Sequence, residues 1–472
     1  MPVTQQHQPI GWRNELSALL RLAVPLMATQ LVQVLMVFTD TLMMGLLGPA
    51  ALAGGGLGAA SYSFISISCV GVSVAAGSLV AMRLGAGDQR GVRQVTQAGL
   101  WLALVMGLLA GLLLSMLAPL LLGLGQQAHN VAAAMQYLQA LRFALPGYLL
   151  FTVLRGYSAA LGKPGPVLAI TLCGSLANIA LNYALLHGLA GLPRLGLFGI
   201  GLATALVMNG MALLMALYIA WQPFYRRYAL LRGILRPGWA ALRANLRLGL
   251  PIGAIYALES LLFVVAALCM GALGDLQLAA HQIAVQTVYV AFMLPTGIAY
   301  ACTFRIGLHQ GAGQLHLARL SGRLGLALGA LCMLGIALLF WLAPAWLVGL
   351  YIDRHAAQHA ALLSQAVALL AIAAWFELFD GLQTIAMGCL RGLGEGRSTL
   401  LIGLLGYLGL GAPLAWYLAF STPWGASGVW WGMAAGLAGT ALGLVLAFER
   451  RLRPALSHRQ KTDFYSEKSL KG

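Results

Sequence analysis

Apolar runs long enough to cross a membrane follow one another along the whole chain, and this feature limits its possible folds most. A helix needs roughly 20 mainly apolar residues to cross the hydrocarbon core of a bilayer. Only 8% of the 472 residues are charged, whereas a soluble domain carries about 25%. The chain is therefore predicted to be an all-α polytopic membrane protein with twelve transmembrane helices, near residues 20–46, 52–81, 95–122, 131–158, 165–187, 196–221, 247–272, 278–304, 320–350, 362–390, 398–420 and 424–448.

The two halves of the chain resemble each other at a constant offset. The segment "LRLAVP" ends at Pro25, and "LRLGLP" ends 226 residues later, at Pro251. At the same offset, "LMMGLLGPAALAG" aligns with "LCMGALGDLQLAA", and two "GAG" tripeptides coincide. Six helices return the chain to its starting side, so both copies cross the membrane in the same sense. Parallel repeats of this kind are typical of transporters that bind their substrate between the halves.

The basic residues assign the segments to the two sides of the membrane. Nearly all of the 28 Lys and Arg residues fall on one side of the twelve-helix model, which the positive-inside bias assigns to the cytoplasm. Arg155 and Arg391 are placed on that side, and Arg142 is the one cation expected within a helix. The net charge of +16 then indicates anionic lipid headgroups rather than nucleic acid as the partner.

The predicted organisation has both termini in the cytoplasm. It comprises a cytoplasmic arm (1–19), an N-lobe (20–221), a basic cytoplasmic linker (222–246), a C-lobe (247–449) and a basic cytoplasmic tail (450–472). Within the arm, "WRNELSALLRL" is expected to form a short amphipathic helix at the membrane surface.

Four acidic residues lie inside the predicted helices: Asp40, Glu259, Glu377 and Asp380. A charge at the centre of a membrane helix costs about 2.5–3.5 kcal/mol on insertion scales, so such residues usually face the bundle interior and serve ions or protons. The simpler alternative is a neutral acid that is hydrogen-bonded in the core. Glu377 lies one turn before Asp380, and it either shares a proton or ion with Asp380 or points into the cavity.

Polar and helix-bending residues accompany these acids. Asn178 and Asn182 lie four residues apart on one helix face, where amides either join helices or bind ligands. Pro25 is expected to kink the first helix and to act as a hinge below Asp40. Gln33 lies upstream of Asp40 on the same helix and is considered part of the site. Gln282, Gln286 and Tyr289 are also considered, with helix packing as the competing interpretation.

The motifs of soluble energy-coupling and hydrolytic chemistry are missing from the sequence. It contains no G-x-x-x-x-G-K-[ST] segment for a nucleotide and no H-E-x-x-H segment for zinc. The chain is therefore not expected to be an enzyme, to bind nucleotide or to carry a cofactor.

The sequence resembles the multidrug and toxic compound extrusion (MATE) family, and within it the NorM-type bacterial branch. The resemblance covers about residues 15–450. It is carried by "LAVPLMATQLVQVLMVFTDTLMMG", "LPIGAIYALESLLFVVAALCMGALG", "AAHQIA", "FMLP", "FELFDGLQTIAMGCLRG" and "LNYALLHG".

The resemblance implies two lobes in a V and rocker-switch export of drugs coupled to inward Na⁺ or H⁺. By motif position, Asp40 matches the acid of the N-lobe, and Asn178 matches the amide near it. Glu259 and Asp380 match the acids of a C-lobe cation site, where Na⁺ is a possible ligand. Glu377 stands where many relatives have a neutral polar residue, which weakly favours a proton over sodium.

The expected function is secondary active export of organic, often cationic xenobiotics by a monomer in the bacterial inner membrane, surrounded by membrane lipids. The alternative is a flippase for lipid-linked oligosaccharide, which would need a strongly basic cavity. A membrane-embedded transferase is the third reading, although the scattered acids disfavour it.

Overall fold

The computed structural model describes residues 11–188, 193–234, 237–354 and 356–469, with side chains to residue 453. Parts of the predicted arm (1–10), linker (235–236) and tail (470–472) therefore lie outside the described residues. Apart from short turns, the described chain consists of helices: α1 (Trp12–Leu46), α2 (Pro49–Gly85), α3 (Gln89–Ser115), α4 (Ala118–Gly123), α5 (Ala128–Leu141), α6 (Ala144–Ala160), α7 (Gly165–His187), α8 (Gly196–Trp221), α9 (Pro223–Arg226), α10 (Trp239–Leu273), α11 (Asp275–Gly311), α12 (Leu315–Leu342), α13 (Pro344–Val348), α14 (Ala360–Gly392), α15 (Arg397–Leu404), α16 (Ala412–Phe420) and α17 (Gly425–Ser469).

These helices confirm the predicted twelve-helix membrane bundle. Within the described residues, eleven helical segments are long and apolar enough to cross a membrane, and α5 with α6 forms a twelfth that bends by 48°. The bend lies at Arg142 and Phe143, and the Arg142 guanidinium donates to Ser115 Oγ at 2.8 Å. Residues Leu405–Gly411 form a π-helical turn that joins α15 to α16 as one span.

Contacts between the two repeats follow the same 226-residue offset. A side chain at Gly85 would collide with the Leu308 backbone, and a side chain at Gly311 would collide with the Met82 backbone. The two collisions are equivalent, because Gly85 corresponds to Gly311 and Met82 to Leu308. Helices α2 and α11 therefore cross about a pseudo-twofold axis, and glycine at both positions permits the close approach. This packing confirms the parallel repeats.

The beginning of the chain differs from the prediction. The segment "WRNELSALLRL" does not lie apart as a surface helix, because it is the continuous first part of α1. The side chains of Glu15 and Leu19 in this segment are completely buried. The acid made the segment look like a surface helix, but the structure provides Glu15 with partners in the other lobe.

The linker begins where it was predicted but ends earlier, and it packs against the N-lobe. Helix α10 starts at Trp239, inside the predicted linker. Gln97 of α3 donates to the backbone oxygens of Leu230 and Arg232 at 2.6 and 3.0 Å. Trp101 donates to the Ile234 oxygen at 2.5 Å. The linker is therefore held against α3 by side chains that satisfy its free carbonyls.

Candidate functional site

Asp40 lies in a buried polar cluster of the N-lobe. Its side chain is 6% exposed. Oδ1 accepts a hydrogen bond from Asn182 at 2.6 Å, and Oδ2 accepts one from the Thr204 hydroxyl at 2.7 Å. Asn178 donates to Thr204 Oγ1 at 3.1 Å and accepts from Asn182 at 3.2 Å. Both carboxylate oxygens are thus paired, and all of these partners are neutral.

Three helices bring this cluster together. Asp40 comes from α1, Asn178 and Asn182 come from one face of α7, and Thr204 comes from α8. The resemblance matched Asn178 to the amide near Asp40, and the structure shows that Asn182 is the amide that donates to this acid. Sequence reasoning missed Thr204, although it is the hydroxyl residue of the apolar run "GLFGIGLATALVM".

Glu259 and Asp380 meet in a second polar cluster, in the C-lobe. They lie on α10 and α14, and the amide nitrogen of Gln383 donates to Glu259 Oε1 and to Asp380 Oδ1, at 3.4 Å in each case. Asp380 is 2% exposed and Gln383 is completely buried. The structure therefore joins the two acids through one amide. Gln383 was not singled out from the sequence, although it follows Asp380 by three residues and shares its helix face.

Glu377 lies in the same helix as Asp380 but has no polar contact there. Its side chain is completely buried, and neither carboxylate oxygen has a hydrogen-bond partner among the described residues. A carboxylate that is buried without a partner is costly in its charged form, so the surroundings of Glu377 differ from those of the hydrogen-bonded acids Glu259 and Asp380.

The bundle also contains two buried arginines, one in each lobe. Arg155 on α6 donates to Gln30 and Gln33 of α1 at 2.8 and 3.2 Å, and it is 5% exposed. Arg391 on α14 donates to the Tyr256 hydroxyl at 2.8 Å and is 3% exposed. At the repeat offset, Gln30 corresponds to Tyr256 and Gln33 to Glu259. Each lobe thus holds one buried arginine, and the two arginines contact equivalent positions of the repeats that carry different side chains.

These arginines correct the prediction that placed Arg155 and Arg391 at the cytoplasmic surface. The prediction relied on the cost of a buried charge, but each guanidinium is hydrogen-bonded to neutral side chains. The expectation that Arg142 would be the one cation within the helices is also wrong. The interior of the helical bundle therefore carries both acidic and basic groups.

A third cluster joins the two lobes near the start of α1. Glu15 pairs with the Arg305 guanidinium and accepts from the Ser321 hydroxyl. His309 Nε2 lies 3.3 Å from both Glu15 oxygens. Arg305 and His309 belong to α11 and Ser321 to α12, so this cluster connects the N-lobe to the C-lobe.

The remaining predicted site residues lie outside these clusters. Gln282, Gln286 and Tyr289 are exposed on α11, and within the described part of the chain none of them makes a hydrogen bond. Pro25 lies inside α1, which continues through it as one helix, and Thr29 Oγ1 donates to the Pro25 oxygen at 2.8 Å. A hinge at Pro25 stays a prediction.

The chemistry of the C-lobe cluster would suit a small cation or protons. Within the described residues, no group of three or more His, Cys, Asp and Glu side chains could hold a metal ion. Oxygen donors of the kind that hard cations prefer are nevertheless provided by Glu259, Asp380 and the amide oxygen of Gln383, which accepts no hydrogen bond from any residue that the structure describes. Na⁺ at this place stays a prediction.

A twelve-helix bundle with two parallel repeats and with buried carboxylates in each lobe is typical of membrane transporters. The fold and the site therefore indicate this class of protein. The MatE family model matches residues 25–184 and again 251–417, so its two matches begin 226 residues apart. The chain belongs to the MatE family, as its resemblance predicted.

The chain is similar to curated proteins of known name. It is 59% identical to the "Probable multidrug resistance protein NorM" of Pseudomonas aeruginosa, over 92% of this chain and 89% of that protein. It is 55% identical to the protein of the same name from Pseudomonas putida, over 94% and 96% of the two chains.

Solved structures share the fold. The eukaryotic MATE transporter AtDTX14 superposes with a TM-score of 0.83 at 20% identity, over 95% of this chain and 99% of that one. A MOP superfamily transporter from Pyrococcus furiosus superposes with a TM-score of 0.84 at 23% identity, over 93% and 96%.

Proposed function

We propose that the protein exports organic xenobiotics across the bacterial inner membrane in exchange for inward H⁺ or Na⁺, by alternating access between its lobes. The observation that carries the proposal is Asp40, a buried acid with only neutral hydrogen-bond partners. The similar Pseudomonas proteins are named as multidrug resistance proteins, which supports drugs as the substrate class.

Proton binding at Asp40 would rearrange its cluster. The ionised carboxylate accepts from Asn182 and Thr204, and a protonated oxygen must become a donor. The Asn182 amide nitrogen can only donate, whereas the Thr204 hydroxyl both donates and accepts. The proton is therefore placed on Oδ2, which requires the Thr204 hydroxyl to reverse. This step would alter the packing of α1 against α8.

The C-lobe cluster responds to cations in a complementary way. Two carboxylates that share a single amide donor repel each other when both are ionised. A bound proton or Na⁺ removes the repulsion, and the pair titrates as one unit. Transport work results only when the ion binds one tilt of the lobes more tightly than the other.

The Glu15 cluster connects the two lobes in this conformation. Alternating access would require a second conformation in which this contact is broken. Glu15, Arg305, His309 and Ser321 hold the lobes together on the side assigned to the cytoplasm. Opening toward the cytoplasm would have to separate these groups. The cluster would thus stabilise the state that is closed on this side.

The flippase alternative receives some support from Arg155 and Arg391, because the sequence argument against it assumed an acidic cavity. The acids Asp40, Glu259 and Asp380 lie within the same bundle, however, and the names of the similar proteins favour drug export.

Efflux of a cationic dye from proteoliposomes tests the proposal. A proton gradient and a sodium gradient are imposed separately on matched vesicles. Dye movement driven by one gradient and abolished by the matching ionophore is expected. Dye movement independent of both gradients would exclude antiport.

A further inference from the structure

A cavity of about 790 Å³ lies in the N-lobe, lined by α3, α6, α8 and the linker that follows α8. None of the residues that line it belongs to the carboxylate clusters of the proposed transport site. Its walls are apolar along most of their length, formed by side chains such as Leu104, Leu154 and Ala216. It opens at the surface beside Leu213 and Leu231, which are 60% and 66% exposed. A cavity of this size holds a drug-sized molecule or part of a lipid.

The linker forms one wall of the cavity, and its position is fixed. The hydrogen bonds from Gln97 and Trp101 of α3 hold its carbonyls at Leu230, Arg232 and Ile234. At the start of the linker, the Tyr225 hydroxyl lies 2.7 Å from Ser158 Oγ of α6. The cavity is therefore a formed groove between helices and a docked segment.

The length of the groove matches one leaflet of a bilayer. Along α8 it extends from Asn209 to Ala220, which is about 16 Å at the helical rise per residue. Half of the hydrocarbon core is about 15 Å thick. The groove ends beside Arg226 and Arg232, on the side that the basic residues assign to the cytoplasm. Its apolar part thus has the depth of the inner leaflet.

The two arginines give the groove a positive end. Arg226 and Arg232 line the cavity and are exposed. Across the described chain, neither of them forms an ion pair with a carboxylate. Basic pockets between helices at the cytoplasmic side are suited to lipid headgroups that carry a phosphate.

We propose that this groove binds one anionic phospholipid of the inner leaflet, of the phosphatidylglycerol type. An acyl chain lies between α3, α6 and α8, and the headgroup phosphate lies against Arg226 and Arg232. Charge complementarity selects an anionic lipid over a zwitterionic one, and the apolar length selects a lipid over a soluble anion. The bound lipid joins the linker to the N-lobe.

Lipid binding is measured on the full-length protein in phosphatidylcholine nanodiscs, titrated with phosphatidylglycerol and analysed by native mass spectrometry. The double variant Arg226→Gln/Arg232→Gln is compared with Arg90→Gln/Arg227→Gln, which removes the same charge from exposed arginines that do not line the groove. We expect about 30-fold weaker binding for the first variant, from about five- to sixfold per arginine, and near wild-type binding for the second. Equal losses of binding in both variants would show that basic residues attract the anionic lipid without a specific site, and this result would overturn the proposal.

A steric pair of variants tests the acyl chain. Ala216→Trp fills the groove, whereas Leu214→Trp changes an exposed position of α8 that does not line it. We expect Ala216→Trp to abolish the bound lipid and Leu214→Trp to retain it. Inorganic phosphate at the same concentration should not displace the lipid. Retention in Ala216→Trp, or displacement by phosphate alone, would show that the groove does not hold a phospholipid.

Discussion

Arg155 of the N-lobe and Arg391 of the C-lobe lie against the same aromatic ring, that of Tyr300. Their guanidinium carbons are 5.3 and 5.1 Å from the ring centroid. Tyr300 belongs to α11 in the C-lobe, so its contact with Arg155 crosses between the lobes. One ring thus links the N-lobe residues Gln30 and Gln33 to Tyr256 in the C-lobe through two cations.

Removing the ring should weaken this link. Tyr300→Leu abolishes two cation–π contacts, each worth about 0.5–2 kcal/mol, whereas Tyr300→Phe keeps the ring. We expect Tyr300→Leu to lower the melting temperature and to slow export, and Tyr300→Phe to remain close to wild type in both. Thermal unfolding in detergent and dye efflux measure the two effects. Identical losses in the two variants would assign the role to the hydroxyl instead.

Asp40→Asn should abolish export without loss of folding. The amide keeps the size of the side chain but cannot gain or lose a charge, so the two lobe orientations no longer differ in protonation. Dye efflux should fall to background while the amount of protein in the membrane stays normal. Thr204→Val is a companion variant, expected to retain the acid and to slow transport through the loss of one hydrogen bond. Normal efflux by Asp40→Asn would show that this acid has only a structural role.

Glu259→Gln and Asp380→Asn should each uncouple export from the ion gradient, because one amide bridges both acids. The double variant should be little worse than either single variant, since residues that act as a unit are not additive. Cation-driven efflux in proteoliposomes, with matched protein amounts, gives the three rates. If the losses in log rate simply add, the two acids work separately and the shared site is wrong.

Glu15→Gln should loosen the contact between the lobes. Removing one partner of a buried ion pair costs roughly 3–5 kcal/mol because the other charge stays buried. Glu449→Gln is the matched control, because Glu449 pairs with Arg319 and Arg323 inside the C-lobe. Distances between spin labels on α1 and α12 should lengthen in Glu15→Gln and stay unchanged in the control. Unchanged distances in both variants would show that Glu15 does not hold the lobes together.

The predicted orientation can be tested with single cysteines in a cysteine-free background. Arg227→Cys in the linker should resist a membrane-impermeant thiol reagent added outside intact cells. Arg194→Cys, between α7 and α8, should react with it, because this joint lies on the other side. Both positions are exposed. The reverse labelling pattern would show that the protein has the opposite orientation in the membrane.

The membrane class, the twelve helices and the two repeats could be predicted because they depend on patterns that lie along the chain. Apolar runs of fixed length and a 226-residue offset require no knowledge of which helices are neighbours. The four acids within the apolar runs were predictable for the same reason, since an acid in an apolar run is unusual wherever that helix packs.

The partners of the acids were decided by the tertiary structure. Thr204 and Gln383 look ordinary in sequence. Thr204 reaches Asp40 only because α8 lies beside α1, and Gln383 reaches Glu259 only because the side chains of α14 extend toward α10. Arg155, Arg391 and Glu15 were misplaced because a charge near the end of an apolar run is usually solvated. Whether a charge is buried depends on hydrogen-bond partners from helices that are distant in sequence. The sequence determines where the helices form, but only the tertiary structure shows which helices are in contact.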